Sequence, residues 1–168
     1  MWAVDDARVL KVMHRHHENA CEPDALLVWD GDGAVRLLDV AEDDAWVAML
    51  LERCVPGTPL LRVAEDEQDV VLCGALRRLW RSAPAGHRFP TLASMCDLWA
   101  DSRPLSTALD PALVRDGVER FRSLPREAGD DTLLTTDLHG GNILAAEREP
   151  WLVIDPKPHV GDRHYDAL

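Results

Sequence analysis

Thr136-Asp137-Leu138-His139-Gly140-Gly141-Asn142, followed by Val153-Ile154-Asp155-Pro156-Lys157, is the part of this sequence whose reading decides the fold. Apolar residues flank the first stretch on both sides. Thr132–Thr135 and Ile143–Ala145 therefore read as short strands joined by a polar, glycine-containing loop over 137–142. Trp151–Ile154 reads as a further strand, ended by Asp155-Pro156. A chance polar turn would explain Gly140-Gly141, because glycine takes turn dihedrals freely. It would not explain why an aspartate opens the loop, an asparagine closes it and a second aspartate ends a following strand.

Upstream of this unit the period is helical. Val70, Val71, Ala75, Leu76, Leu79 and Trp80 recur at helical spacing, and residues 91–101 predict a second helix. Asp110-Pro111 is a helix start, with aspartate as N-cap and proline at the first helical position. That helix is expected to run to about Leu124, with Leu113, Val114, Val118 and Phe121 on its apolar side. Ser82–Pro90 reads as a loop. Earlier in the chain strands dominate, over 7–13, 34–40 and 46–53. A helix lies somewhere within 18–29, and Asp30-Gly31-Asp32-Gly33 is a turn. Val55-Pro56-Gly57-Thr58-Pro59 reads as a connector. Strands first, helices next and a strand–loop–strand unit last argue for an α+β fold.

The chain has 168 residues and is 46% hydrophobic, enough for one domain or for pieces of two small lobes. A formal net charge of -12 disfavours nucleic acid and anionic membranes as partners. No run of ~18 apolar residues predicts a membrane helix. The N-terminus lacks the basic flank and apolar stretch of a signal peptide, so the cytoplasm is the expected location. Cys21, Cys54, Cys73 and Cys96 form no C-x-x-C pair and are expected to be reduced, mostly buried thiols. Trp29, Trp46, Trp80, Trp99 and Trp151 are expected to anchor the core. His14–His17 with Cys21 and Glu22 lacks the second spaced pair of a zinc site and reads as a solvated connector. Lys11 and Lys157 are the two lysines of the chain.

The order Asp137, Asn142, Asp155 suits phosphoryl transfer. That reaction needs a carboxylate to orient and deprotonate the attacking hydroxyl, and oxygen ligands to hold Mg²⁺ on a triphosphate. An aspartate with an asparagine at the other end of one loop puts base beside metal ligand. A second aspartate about a dozen residues on completes the metal site.

The run from Asp137 to Lys157, DLHGGNILAAEREPWLVIDPK, resembles the aminoglycoside phosphotransferase superfamily. More narrowly it is similar to the streptomycin 6-phosphotransferase and hydroxyurea phosphotransferase branch. Leu50–Gly57 resembles that family's hinge, Leu26–Leu38 its helix-to-strand passage, and Gly161-Asp162 with Tyr165-Asp166 its G-D-x-x-Y-D element. The resemblance implies a partial protein-kinase-like two-lobe fold. Residues 1–54 would be a partial N-terminal lobe, and 55–168 a connector and partial C-terminal lobe. It implies Asp137 as catalytic base and Asn142 and Asp155 as Mg²⁺ ligands. Lys11 would contact the ATP phosphates and pair with Glu22, and the backbone around Glu52 and Cys54 would hydrogen-bond adenine. Asp166 would support the catalytic loop.

Three features depart from the family pattern. Thr135-Thr136 replace the usual His-Gly before the catalytic aspartate. Pro23 follows Glu22, which sets the expected helix start at Pro23 and weighs against the Lys11–Glu22 pair. Few residues precede Lys11, where the family has a Gly-rich phosphate-covering hairpin, and the family's C-terminal helices would follow residue 168. The sequence thus reads as truncated at both ends. The implied function is ATP-dependent phosphorylation of an alcohol group on a small molecule, an aminoglycoside such as streptomycin, or hydroxyurea, in antibiotic resistance or secondary metabolism. The alternative is a non-catalytic remnant that binds nucleotide weakly or not at all. A metal-dependent phosphohydrolase is disfavoured, because the bridging carboxylate and histidines of two-metal sites are missing from the sequence.

Overall fold

A computed structural model describes residues 1–102, 108–127 and 131–167. Strands β1 (Trp2–Ala3), β2 (Arg8–His14), β3 (Leu37–Glu42) and β4 (Trp46–Glu52) form an antiparallel sheet in the order β1-β2-β4-β3. β4 alternates, so Val47, Met49 and Leu51 are buried while Trp46, an expected core anchor, is 52% exposed on the other face. The register sets Val9, Lys11 and Met13 opposite Leu51, Met49 and Val47. The two-residue period therefore places a lysine on the apolar face. Helix α1 (Glu22–Trp29) shares one core with that face through Ala25, Leu26 and Trp29. A charge so placed must find a partner, and the first residue of α1 supplies it.

The helix ends as the Asp-Gly-Asp-Gly turn dictates, with Asp30, Gly31 and Gly33 at φ 46°, 81° and 84°. The strand expected over 34–40 begins only at Leu37. Its first residues pair elsewhere: the Val35 amide donates to the Val153 carbonyl (3.0 Å), and the Val153 amide to the Gly33 carbonyl (2.9 Å).

Helix α2 (Glu65–Leu79) buries Leu76 and Leu79, and the Trp29 indole donates to the Leu79 carbonyl at 2.9 Å, tying α1 to α2. Val70, expected on the apolar side, is 73% exposed. Neighbouring helix positions diverge by about 100°, so only one of Val70 and Val71 can face inward, and Val71 does. Helices α3 (Leu92–Ser102) and α4 (Pro111–Glu127) pack on each other. Asp110 caps α4 through the Ala112 amide at 2.7 Å. The helix continues through Pro125 rather than stopping at Leu124, because a proline in the last turn forfeits a single backbone bond. Leu113 is exposed, and the half-buried stripe is Val114, Val118, Phe121 and Pro125.

Two small sheets complete the fold. β5 (Arg81–Ser82), β6 (Thr132–Leu134) and β9 (His159–Gly161) pair in the order β5-β6-β9, and β7 (Ile143–Ala145) pairs with β8 (Trp151–Val153) as a hairpin. The expected loop at 82–90 thus starts with a strand residue. A Cβ at Gly161 would lie 2.6 Å from the Leu92 Cβ, so glycine is what allows α3 to approach β9. Cys21 and Cys96 are buried, Cys54 is half-buried and Cys73 is exposed, so the expected burial of the thiols holds for two of them. No helix among the described residues is long and apolar enough to cross a membrane.

Candidate functional site

The β7–β8 hairpin is fixed on two sides before it presents anything. On one side the connector zips along β7, with the Gly57 amide donating to the Ala145 carbonyl (3.0 Å) and the Ala145 amide to the Thr58 carbonyl (2.9 Å). On the other side β8 pairs with residues 33–35. Its open end carries Asn142 before β7 and Asp155 just beyond β8, and the Ile154 amide donates to the Asn142 carbonyl at 2.8 Å. The hairpin thereby holds these two residues side by side.

The loop before β7 is equally determined. Asp166 accepts the Thr135 amide at 3.0 Å and the Thr136 amide at 2.8 Å, and the Trp80 indole at 3.2 Å. Burial pushes the Asp166 carboxyl above its ordinary range despite these donors. Thr136 sits at φ 49°, an uncommon conformation for a β-branched residue. Its hydroxyl donates to the Lys157 carbonyl at 2.5 Å, and the Lys157 amide donates to the Thr135 carbonyl at 2.9 Å. Asp137 follows, exposed, with its carbonyl accepting the Asn142 amide group at 2.9 Å. A Cβ at Gly140 would meet the Leu61 amide at 3.1 Å, where the Leu61 N–H donates to the Gly140 carbonyl at 3.0 Å.

Lys11 joins the two halves of the chain. Its ammonium lies 2.6 and 2.7 Å from the two Glu22 oxygens and 2.5 Å from Asp155 Oδ1. Glu22 is the first residue of α1, fully buried, with Pro23 in the first turn, where its missing N–H needs no partner. The expected start at Pro23 is corrected by one residue, and the proline that weighed against the pair is compatible with it. Burial pushes the Glu22 carboxyl up, and Lys11 opposes that shift. Burial acts in the same sense on Asp155, but Lys11 and Lys157 outweigh it and hold that carboxyl below its usual value.

The structure thus brings Lys11, Glu22 and Asp155 together, and Asp137 with Asn142. Among the described residues no hydrogen bond or ion pair links the side chain of Glu52 or Cys54 to these groups; that of Glu52 is held by Arg148. The Glu52 amide donates to the Arg36 carbonyl at 3.0 Å, and burial raises the Cys54 thiol to about 11. No cluster of three His, Cys, Asp or Glu side chains able to hold a metal occurs among the described residues. Asp155 and Asn142, whose backbones meet at the open end of the hairpin, supply one carboxylate and one side-chain amide oxygen, donor types that suit Mg²⁺ completed by nucleotide phosphates.

A family model described as aminoglycoside/hydroxyurea antibiotic resistance kinase matches residues 3–168. The chain belongs to this kinase family. A streptomycin 6-kinase of Streptomyces glaucescens is 40% identical over 164 residues, 94% of this chain and 52% of the relative. A hydroxyurea phosphotransferase of Kitasatospora aureofaciens is 39% identical over 166 residues, 95% of this chain and 48% of the relative. The chain therefore spans about half the length of these relatives. An aminoglycoside phosphotransferase, APH(3'')-Id of Streptomyces rimosus, solved with ADP and streptomycin, superposes with a TM-score of 0.60 at 19% identity. That match covers 99% of this chain and 71% of the solved one and establishes the kinase-like fold.

Within this family member, sequence reading missed Arg148. Its guanidinium takes both oxygens of Glu52 (2.8 and 2.9 Å) and the carbonyls of Gly31 (2.7 Å) and Ala34 (3.1 Å). It fastens the expected hinge, the turn after α1 and the β7–β8 hairpin to one another. The signal available was an arginine in a tight polar turn, which by itself names no partner.

Proposed function

We propose that this chain binds ATP and transfers its γ-phosphoryl group to a hydroxyl of a small molecule, an aminoglycoside such as streptomycin, or hydroxyurea, as part of antibiotic resistance or secondary metabolism in the cytoplasm. The observation that carries this reading is the meeting of Lys11, Glu22 and Asp155 at hydrogen-bond distance, across 144 residues between Lys11 and Asp155. A buried carboxylate that clamps a lysine beside a second, partly exposed carboxylate is costly to desolvate. It suits a site whose lysine is to be presented to phosphates.

In this reading a nucleotide site lies between an N-terminal part, up to about residue 54, and a C-terminal part. The backbone at Glu52 and Cys54 takes adenine. Lys11, held by Glu22, takes the α/β-phosphates. Asn142 and Asp155 would hold Mg²⁺, which when bound neutralises charge on the phosphates. Asp137, exposed at the mouth of the loop, orients the acceptor hydroxyl and accepts its proton. The Thr136 conformation and the Asp166 carboxylate aim Asp137, and aim is most of what this reaction asks of a protein.

The test is thermal unfolding with ATP and MgCl₂, paired with intact-mass measurement of streptomycin and hydroxyurea after incubation. A rise in Tm that scales with nucleotide, as ligand binding to the native state requires, and addition of one phosphoryl group to either acceptor are the expected results. No shift at millimolar nucleotide would sink this reading and leave the non-catalytic alternative. Glu22→Gln keeps the volume but removes the charge that fixes Lys11. It is expected to weaken ATP binding about tenfold, as one lost charge-assisted hydrogen bond warrants, measured by ATP titration of the same thermal shift.

A further inference from the structure

Both lysines of the chain reach one oxygen: Lys11 Nζ is 2.5 Å and Lys157 Nζ 2.8 Å from Asp155 Oδ1. Glu22 accounts for Lys11. Lys157 has no such buried carboxylate of its own among the described residues. Among the described residues Asp155 is the one side chain its ammonium hydrogen-bonds, while an ammonium carries three donors. Its side chain, 21% exposed, lines a cavity of about 210 Å³ whose wall also includes Glu18, Trp99, Thr136, Asp137 and His159. Lys157 therefore shares a cavity with Asp137 and an ion pair with Asp155.

The backbone around Lys157 is built to hold it there. Its amide donates to Thr135, and its carbonyl accepts the Thr136 hydroxyl and lies 3.0 Å from His159 Nδ1. Pro156 and Pro158 flank it, which fixes φ on both sides and restricts Lys157 itself. A lysine that only blunted a surface would need none of this.

We propose that Lys157 is a further catalytic residue, whose ammonium contacts the phosphoryl group as it passes from ADP to the acceptor. The inference rests on the ATP-dependent reading above. In the step, the bond between the γ-phosphorus and the β,γ-bridging oxygen breaks, and ADP leaves with its electron pair. A bond forms between phosphorus and the acceptor oxygen, whose proton passes to Asp137. Lys157 exchanges no proton; its charge offsets the charge on the equatorial oxygens of the phosphoryl group.

The experiment compares the unaltered chain with Lys157→Ala and Lys157→Met, the latter keeping the volume of the stem. Binding of MgADP alone, and of MgADP with aluminium fluoride as a mimic of the phosphoryl group in flight, is measured by calorimetry. Turnover is measured alongside. Both variants are expected to bind MgADP within about twofold of the unaltered chain, to bind the mimic about 10²-fold more weakly, and to lose about 10²–10³-fold in kcat with the KM for ATP little changed. Equal weakening of MgADP and of the mimic would reduce Lys157 to a positioning residue for Asp155 and overturn the proposal, as would unchanged binding of both. Failure of the unaltered chain to bind MgADP would instead remove the ATP reading, and the role of Lys157 with it.

Discussion

Asp137→Ala is expected to cut phosphoryl transfer by about 10²–10⁴-fold while leaving MgATP affinity within about twofold. Asp137 is exposed, and its carboxylate touches the Asn142 amide group only at 3.5 Å. It makes none of the contacts that gather Lys11, Glu22 and Asp155. Removing it therefore takes away the proposed proton acceptor without disturbing the proposed nucleotide end. Stability should move by no more than about 0.5 kcal/mol, as for other exposed side chains. Asp137→Asn, which keeps the shape but accepts a proton far less readily, should behave the same way. Single-turnover kinetics with ATP and streptomycin, alongside nucleotide titration, checks both halves; full turnover by either variant would remove Asp137 from the role of base.

Arg148→Ala is expected to cost about 2–3 kcal/mol of folding stability, the scale for losing charge-assisted hydrogen bonds in a part-buried ion pair. Side-chain exposures of 23% for Arg148 and 17% for Glu52 leave the pair part-buried and partly screened by solvent. The loss is more than Coulombic, since the Gly31 and Ala34 carbonyls lose their donor as well. Arg148→Lys should recover only part, because an ammonium cannot reproduce the fork that spans both Glu52 oxygens. The pH dependence fixes the sign. Burial raises the Glu52 carboxyl, but Arg148 and the Arg36 amide outweigh it and leave it below its ordinary 4.5. A depressed carboxyl stabilises the fold above about pH 4.5 and loses that contribution as pH falls through the lower, folded-state value. Urea midpoints of the unaltered chain and Arg148→Ala should thus differ most near neutrality and draw closer in acid, leaving the part owed to the Gly31 and Ala34 carbonyls. A constant gap across that range would contradict the assignment.

What the sequence made legible was local. Ile143–Ala145 was read as a strand and is one, because an apolar triplet bounded by a polar loop admits little else. Lys11 could be placed on a strand, and the strand period then dictated that it point inward. The missed elements are those whose existence depends on a distant partner. β9 is three residues after a proline and becomes a strand only because β6 lies beside it. Pairing of residues 33–35 with β8 shortened the expected third strand in the same way. Trp46 and Leu113 read as core by residue type, but the register and the helix phase turned them outward. Arg148 makes five side-chain hydrogen bonds and carries no periodicity at all. Of the site, the order of acid, amide and acid was visible in the residues. The clamp of Asp166 on two consecutive amides, and the positive φ of Thr136 and Asp155, are properties of folded backbone that no residue pattern announces.

The convergence of both lysines on one carboxylate makes the chain a self-reporting reagent target. An amine-selective acylating probe meets, besides the α-amino group, two sites in the full sequence, and both belong to the same small constellation. Intact-mass adduct counts beyond the one at the α-amino group would therefore read out occupancy of that constellation, with no background from a lysine-covered surface to subtract.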